Sequence, residues 1–218
     1  MPLKKHDFVL LDYTGKLEDG TIFDTTQESV AKKHNLRSEC TKYKPITICI
    51  GESQIVSGLD ESLMGKEAGK EFTITLPPEK AFGKKDIKLI KLIPMAVFKK
   101  QNVMPQPGLK VNIDGRVATV LRVSGGRVIV DYNHPLANRT ITYDISIRKQ
   151  ISDKKEQIES FLGSTLPIKC EVAVNDAAAT IQTEQKLPDE LAKPLAKKLL
   201  ELVGLTVEFA AKKHTTPE

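Results

Sequence analysis

The chain has 218 residues, 40% hydrophobic and 28% charged, long enough to bury a substantial core and too apolar for a disordered chain. Its net charge of +5, from 33 basic against 28 acidic residues, reads as a lysine-rich solvated surface, with an RNA- or ribosome-facing patch as the other reading. No basic stretch is interleaved with aromatics, which disfavours a nucleic-acid platform.

Residues 1–83 read mostly as strands. Residues 8–15 are β-rich and end on Gly15, and Glu18-Asp19-Gly20 supplies a hairpin turn. Residues 27–36 suggest a helical excursion, and 47–51 and 71–76 are further short strands. Asp60 to Met64 reads as a short helix with an acidic start, closed by Gly65. Pro77-Pro78 stops the sheet.

From Lys84 the character changes. Residues 87–94, 108–116, 117–123 and 127–131, with a turn at Ser124-Gly125-Gly126, predict a small all-β unit over 84–133. Alternation resumes over 140–147, a strand whose simplest partner is the first β segment, so the middle unit is expected as an insertion. After Ser152, Asp153-Lys154-Lys155-Glu156 has capping-box spacing and opens a helix closed by Gly163. Residues 168–174 and 177–183 read as a hairpin turned by Asn175-Asp176. Leu191, Leu195, Leu199 and Leu202 line one helix face that Pro194 either kinks or splits, and 205–211 is a last strand before a frayed tail at 212–218.

Several function classes have no support. Cys40, Cys49 and Cys170 are odd in number and lack CxxC spacing, as expected for reduced thiols in a cytoplasm, with Cys49 a small buried apolar residue. His6, His34, His134 and His214 are scattered singly, so neither a metal site nor a cofactor is expected. The charged start is followed by no apolar signal core. The run 89–98 contains Lys91 and Pro94 and is too short to span a bilayer.

What remains is a set of apolar and aromatic residues with one carboxylate and no nucleophile or base beside it. Gly20-Thr21-Ile22-Phe23-Asp24-Thr25 is flanked by Tyr13 upstream and by Ile55-Val56-Ser57-Gly58-Leu59-Asp60-Glu61 downstream. Such a site acts on a neutral group by removing it from water. The prolyl amide suits it, since its slow cis/trans rotation breaks no bond.

These motifs, followed in order by Ala81-Phe82-Gly83 and Asn133-His134-Pro135-Leu136-Ala137, resemble the FKBP-type peptidyl-prolyl isomerases of the SlyD-like branch with an insert-in-flap domain, over residues 3–150. The spacing of Leu89 through Pro94 to Phe98 resembles the entrance of that insert. The segment from 152 more loosely resembles the C-terminal extension of long archaeal members. The resemblance implies an α+β fold: an antiparallel half-barrel around a short helix (1–83 and 134–151), an inserted all-β domain (84–133) and a C-terminal α+β domain (152–218).

It further implies a pocket of Tyr13, Phe23, Asp24, Ile55, Val56, Leu59, Phe82 and Tyr143 that desolvates the prolyl amide. Asp24 accepts a hydrogen bond from the Tyr13 hydroxyl, and the Val56 N–H anchors the substrate chain. Tyr143 is equally readable as core, and His134 as a residue bonding a flap turn. Two departures stand out: the pocket floor is Leu59 where small eukaryotic members carry Trp, and Phe82 replaces the Tyr of an Ala-Tyr-Gly motif. The histidine-rich tail of bacterial SlyD is absent.

In the insert, Leu89, Ile93, Met95, Val97, Phe98, Val103 and Met104 are expected to bind unfolded polypeptides containing X-Pro bonds, although Met95, Val97 and Phe98 also read as the insert's own core. A homodimer through the C-terminal domain is a further expectation. The competing readings are a holdase whose isomerase pocket has decayed and a ribosome-associated factor.

Overall fold

The computed structural model describes residues 2–36, 43–166, 170–175, 178–184 and 187–211. In chain order its elements are β1 (Phe8–Leu17), β2 (Ile22–Thr25), α1 (Glu28–Lys33), β3 (Ile46–Cys49), α2 (Ser57–Leu63), β4 (Glu71–Leu76), β5 (Ile90–Pro94), α3 (Met95–Lys100), β6 (Lys110–Ile113), β7 (Arg116–Ser124), β8 (Arg127–Asp131), β9 (Ile141–Ile151), α4 (Lys154–Thr165), β10 (Cys170–Val174), β11 (Ala178–Thr183), α5 (Asp189–Val203) and β12 (Thr206–Ala211). They form two compact units, one of Met1–Thr75 with Thr142–Glu218, the other Leu76–Ile141.

The first unit is built on a five-stranded sheet ordered β2-β1-β9-β4, with β3 also paired to β1. The β1–β2 connection closes at Gly20, whose φ of +81° is one that glycine adopts without a Cβ clash. Along β9, Ile141, Tyr143, Ile145 and Ile147 are buried while their neighbours are less so, the period-two signature of a sheet with one core face. The short helix α2 begins at Ser57, three residues before the expected start at Asp60. Asp60 is buried there, and its carboxylate accepts from the Gly51 N–H at 2.8 Å and the Ser53 N–H at 3.1 Å. That acidic residue therefore ties down the preceding loop as well as favouring the helix start.

The C-terminal segment adds a three-stranded sheet, β10-β11-β12, with β10 antiparallel and β12 parallel to β11. α5 supplies the crossover that parallel pairing needs. One helix end here differs from expectation. Gly163 lies inside α4, which runs on to a cap at Leu166, because Leu162 and Phe161 bury against the core and hold the last turn. α5 is continuous through Pro194 and ends at Gly204 with φ +76°. Its apolar face, with Leu199, Leu202 and Val203 buried, offsets the missing N–H. Phe8 and Cys49 of the first sheet share one apolar cluster with Ile158, Phe161, Leu162, Val172, Ile181 and Leu199. The expected positions Cys40, Ile168, Asp176, Ala177, His214 and the tail 212–218 lie outside the described residues.

The second unit is a four-stranded antiparallel sheet ordered β5-β8-β7-β6. β7 and β8 are joined by Gly125 and Gly126, with φ of +56° and +77° respectively, the two positive-φ positions that suit a hairpin's right-handed twist. The unit is not all β. Pro94 ends β5 and caps α3, where Val97 is the single β-branched residue, and Phe98 (1% exposed) plugs the core formed by Val111, Ile113, Val120, Val128 and Val130. At the end of β8 Asp131 is buried, which raises its pKa, but the Lys85 ammonium at 2.9 Å and hydrogen bonds from Asn133 outweigh that and hold the carboxyl below its ordinary value.

Candidate active site

The first unit's sheet gathers four of the sequence-expected residues through one local irregularity. β1 and β2 pair at Gly15↔Asp24 and then at Lys16↔Ile22, which leaves Phe23 as an extra residue on β2. A bulge of this kind bends the strand and re-aims a side chain. Here it turns the Phe23 ring over the backbone of Gly15: a Cβ built at position 15 would lie 2.6 Å from Phe23 Cζ and 3.0 Å from Tyr143 Cε1. Gly15 is thus required for the ring to lie where it does; the sequence reading placed it at the end of a strand and in the motif Tyr13-Thr14-Gly15.

Tyr143 is the hub. It lies on β9 beside β1, and its ring meets Tyr13 edge-on at 5.9 Å between centroids and 74°, and Phe23 at 6.0 Å and 77°. Both geometries direct a positive ring edge at a negative face. Tyr143 is 3% exposed, so its alternative reading as core describes its burial, while its ring contacts tie it to Tyr13 and Phe23.

The Tyr13 hydroxyl donates to Asp24 Oδ2 at 2.8 Å, the pair that the resemblance implied. Asp24 itself is exposed. Burial pushes the Tyr13 hydroxyl pKa well up, with its bond to Asp24 adding to the rise, and pushes that of Tyr143 up to about 12, aided by the Asp24 charge. Both phenols are therefore neutral donors at neutral pH, not proton acceptors.

A second, buried network fixes the end of β2. Thr26 Oγ1 donates to Asp12 Oδ1 at 2.8 Å, Arg148 Nε donates to Asp12 Oδ2 at 2.5 Å, and the Thr14 and Thr25 hydroxyls are bonded to each other at 2.8 Å. Asp12 is 3% exposed, so this charge is buried with its partners in place. Asp12, Thr26 and Arg148 border a polar groove of about 600 Å³ with Glu71 and Ser146. Tyr43 lines it, but Tyr13, Phe23 and Tyr143 do not, and by strand alternation Asp12 points to the other sheet face from Tyr13.

Ile55 and Val56 are half-buried at the entrance to α2, and Leu59 is buried at 2% one turn on. The Val56 carbonyl accepts from the Leu59 and Asp60 N–H groups, while its own N–H has no acceptor among the described residues. Phe82 belongs to the other unit, where it stacks on His134 at 4.6 Å with parallel rings. His134 Nδ1 accepts from the Leu136 N–H at 3.1 Å, the turn-bonding role expected of it.

In the second unit, Met95, Val103, Met104, Pro105 and Val123 line an apolar groove of about 630 Å³ with Lys99 and Asn102 at its rim. Of the expected unfolded-chain contacts, Met95, Val103 and Met104 are on this groove, and Met104 is 82% exposed. Phe98 is in the core, and Ile93 and Val97 pack against it. Leu89 is half-buried, in the 3-10 turn before β5.

Comparison with known proteins agrees with this architecture. Residues 2–99 match the FKBP-type peptidyl-prolyl cis-trans isomerase family, and residues 91–136 match the family described as FKBP26, IF domain. A short-type peptidyl-prolyl cis-trans isomerase of Methanocaldococcus jannaschii is 35% identical over 146 residues, 67% of this chain and 92% of that protein. The FKBP-type isomerase SlyD of Aeromonas hydrophila is 34% identical over 142 residues, 64% of this chain and 60% of that protein. The FKBP-type 16 kDa isomerase of Escherichia coli is 29% identical over 150 residues, 66% and 91% respectively. The chain belongs to the FKBP-type peptidyl-prolyl cis-trans isomerases, enzymes that act on X-Pro bonds. No described helix is long and apolar enough to cross a membrane.

Proposed function

We propose that the aromatic face of the first unit accelerates X-Pro isomerisation by desolvation. The observation that carries this reading is the Phe23 bulge, which brings Phe23, Tyr143, Tyr13 and Asp24 together over a glycine. Resonance gives the prolyl amide a rotational barrier of about 18–20 kcal/mol, and water favours the planar, charge-separated form over the twisted one. An apolar wall withdraws that solvent stabilisation from the planar form, so the gap between ground state and transition state narrows. Lowering the barrier by about 4–7 kcal/mol corresponds to roughly 10³–10⁵-fold acceleration.

In this reading Leu59 forms a pliant floor for the proline ring, Ile55 a wall, and the Val56 N–H bonds the substrate chain on one side of the rotating bond. Asp24 orients Tyr13 and sets the local field. The rotation consumes and releases no proton, so neither group serves as acid or base.

The second unit's groove is proposed to bind unfolded chains. Met95 and Met104 support this, since thioether side chains adapt to varied partners. Holding a client there raises the concentration of its prolines at the site. Substituting Phe23 or Asp24 by Ala should abolish turnover of an Ala-Leu-Pro-Phe peptide and leave unfolded-chain binding intact. Turnover near the wild-type rate would overturn the site, and a wild-type protein that binds unfolded chains with little turnover would favour the alternative, a holdase with weak isomerase activity. Deleting 84–133 with a short bridge should spare peptide turnover and slow refolding of a proline-limited protein; equal loss in both would refute the division of labour. A homodimer through α5, where Leu191 and Leu200 are exposed, is the assembly this reading favours, and a monomer in sedimentation at micromolar concentration would dismiss it.

A further inference from the structure

The loop between β3 and α2 delivers Ile55 and Val56, and it is gripped by the C-terminal helices. Among the described residues β3 pairs only with β1, so the outward N–H of Cys49 needs another partner. It donates to Gln54 Oε1 at 2.7 Å, and the Gln54 amide nitrogen in turn donates to Ser164 Oγ of α4 at 2.5 Å. The Ser164 hydroxyl donates its own hydrogen bond to the Phe161 carbonyl at 2.8 Å, which leaves Ser164 Oγ as the acceptor from Gln54. Two residues earlier, Glu52 is nearly buried and pairs with Lys198 of α5 at 2.8 Å. His6 Nε2 lies 3.6 Å from the same Glu52 carboxylate and 3.9 Å from that of Glu201, also on α5. From the other side Asp60 holds the loop's Gly51 and Ser53 N–H groups.

We infer that Glu52 and Gln54 are positioning residues, through which α4 and α5 set the placement of Ile55 and Val56 for the substrate chain. The C-terminal segment thereby acts on the isomerase reaction, in addition to completing the core. This inference rests on the reading of Ile55 and Val56 as substrate contacts. The loop touches the bound chain in ground state and transition state alike, so loosening it weakens binding more than it slows rotation.

Lys198 is the residue to alter, because it is partly exposed and lies outside the site and the core. Lys198→Ala should raise KM for the proline peptide about threefold to tenfold, with kcat within about twofold. Lys198→Arg should keep the wild-type KM. A purely structural contact would lower the melting temperature without this split between KM and kcat. If Ile55→Ala lowers kcat/KM while Lys198→Ala and Gln54→Ala leave KM within twofold, the positioning role is wrong and the site reading survives. If Ile55→Ala is also silent, the loop is not part of the site and both fall.

Discussion

Replacing Gly15 by Ala isolates the contribution of ring placement to catalysis. The residue lies inside β1 in ordinary extended backbone, so alanine brings no φ penalty there. Its methyl carbon would sit 2.6 Å from Phe23 Cζ, 3.0 Å from Phe23 Cε1 and 3.0 Å from Tyr143 Cε1. Relaxing these to ordinary carbon contacts of about 3.5–4.0 Å needs a ring shift on the order of 1 Å. Tyr143 is locked in the core, whereas Phe23 is half-buried and can swing outward. The stability cost should therefore fall at the low end of the overpacking range, about 1 kcal/mol, or roughly 2–4 °C in melting temperature for a chain of this size. Catalysis should suffer more, because a displacement of about 1 Å in a positioned group can cost about 10²-fold. We expect kcat/KM for the proline peptide to fall about 10–100-fold in a protein that remains folded at the assay temperature. Retention of kcat/KM within about threefold, with an unaltered melting temperature, would show that the ring is not held as described. Loss only in proportion to the unfolded fraction would show that its position does not matter.

Tyr13→Phe removes the 2.8 Å bond to Asp24 but keeps the ring contact with Tyr143; kcat/KM should drop about fivefold, and denaturant titration should show stability altered by under about 1 kcal/mol. Tyr143 has its hydroxyl pKa raised to about 12 by burial and then by the Asp24 charge, above the unfolded value near 10. Its stabilisation is complete below pH about 10 and is lost between about 10 and 12 as only the unfolded chain ionises. Tyr143→Phe should therefore flatten the alkaline limb of a stability–pH curve over that window. Met104→Glu, at a position 82% exposed on the second unit's groove, should leave folding and peptide turnover unchanged and weaken binding of a permanently unfolded protein about fivefold or more.

The strands were readable because their alternation and turn residues are strong local signals. The Gly125-Gly126 hairpin and the Gly20 turn appear where their glycines require, and β9 shows its period of two. What escaped the sequence was decided by tertiary packing. Gly163 reads as a helix stop, but burial of Phe161 and Leu162 carries α4 past it. Met95 to Lys100 reads as part of a β unit, yet it winds into a helix so that Phe98 can fill a hole in a sheet formed by residues more distant in the chain.

The site shows the same division at finer scale. Tyr13, Phe23 and Asp24 could be named from motif order, and Tyr143 only with core as an equal reading, but not the register shift that makes them neighbours. In a regular β2, Phe23 and Asp24 would point to opposite faces, and a carboxylate bonded to Tyr13 would leave the Phe23 ring on the wrong side. The extra residue removes that conflict, and the signal for it was present as a glycine inside a strand, which marks either a bulge or a close approach. Here it marks both. The grip of α4 and α5 on the loop 51–56 had no such signal. Its partners Gln54 and Ser164 are 110 residues apart, and neither has a side chain that is unusual on a surface until the fold sets it against an unpaired backbone N–H.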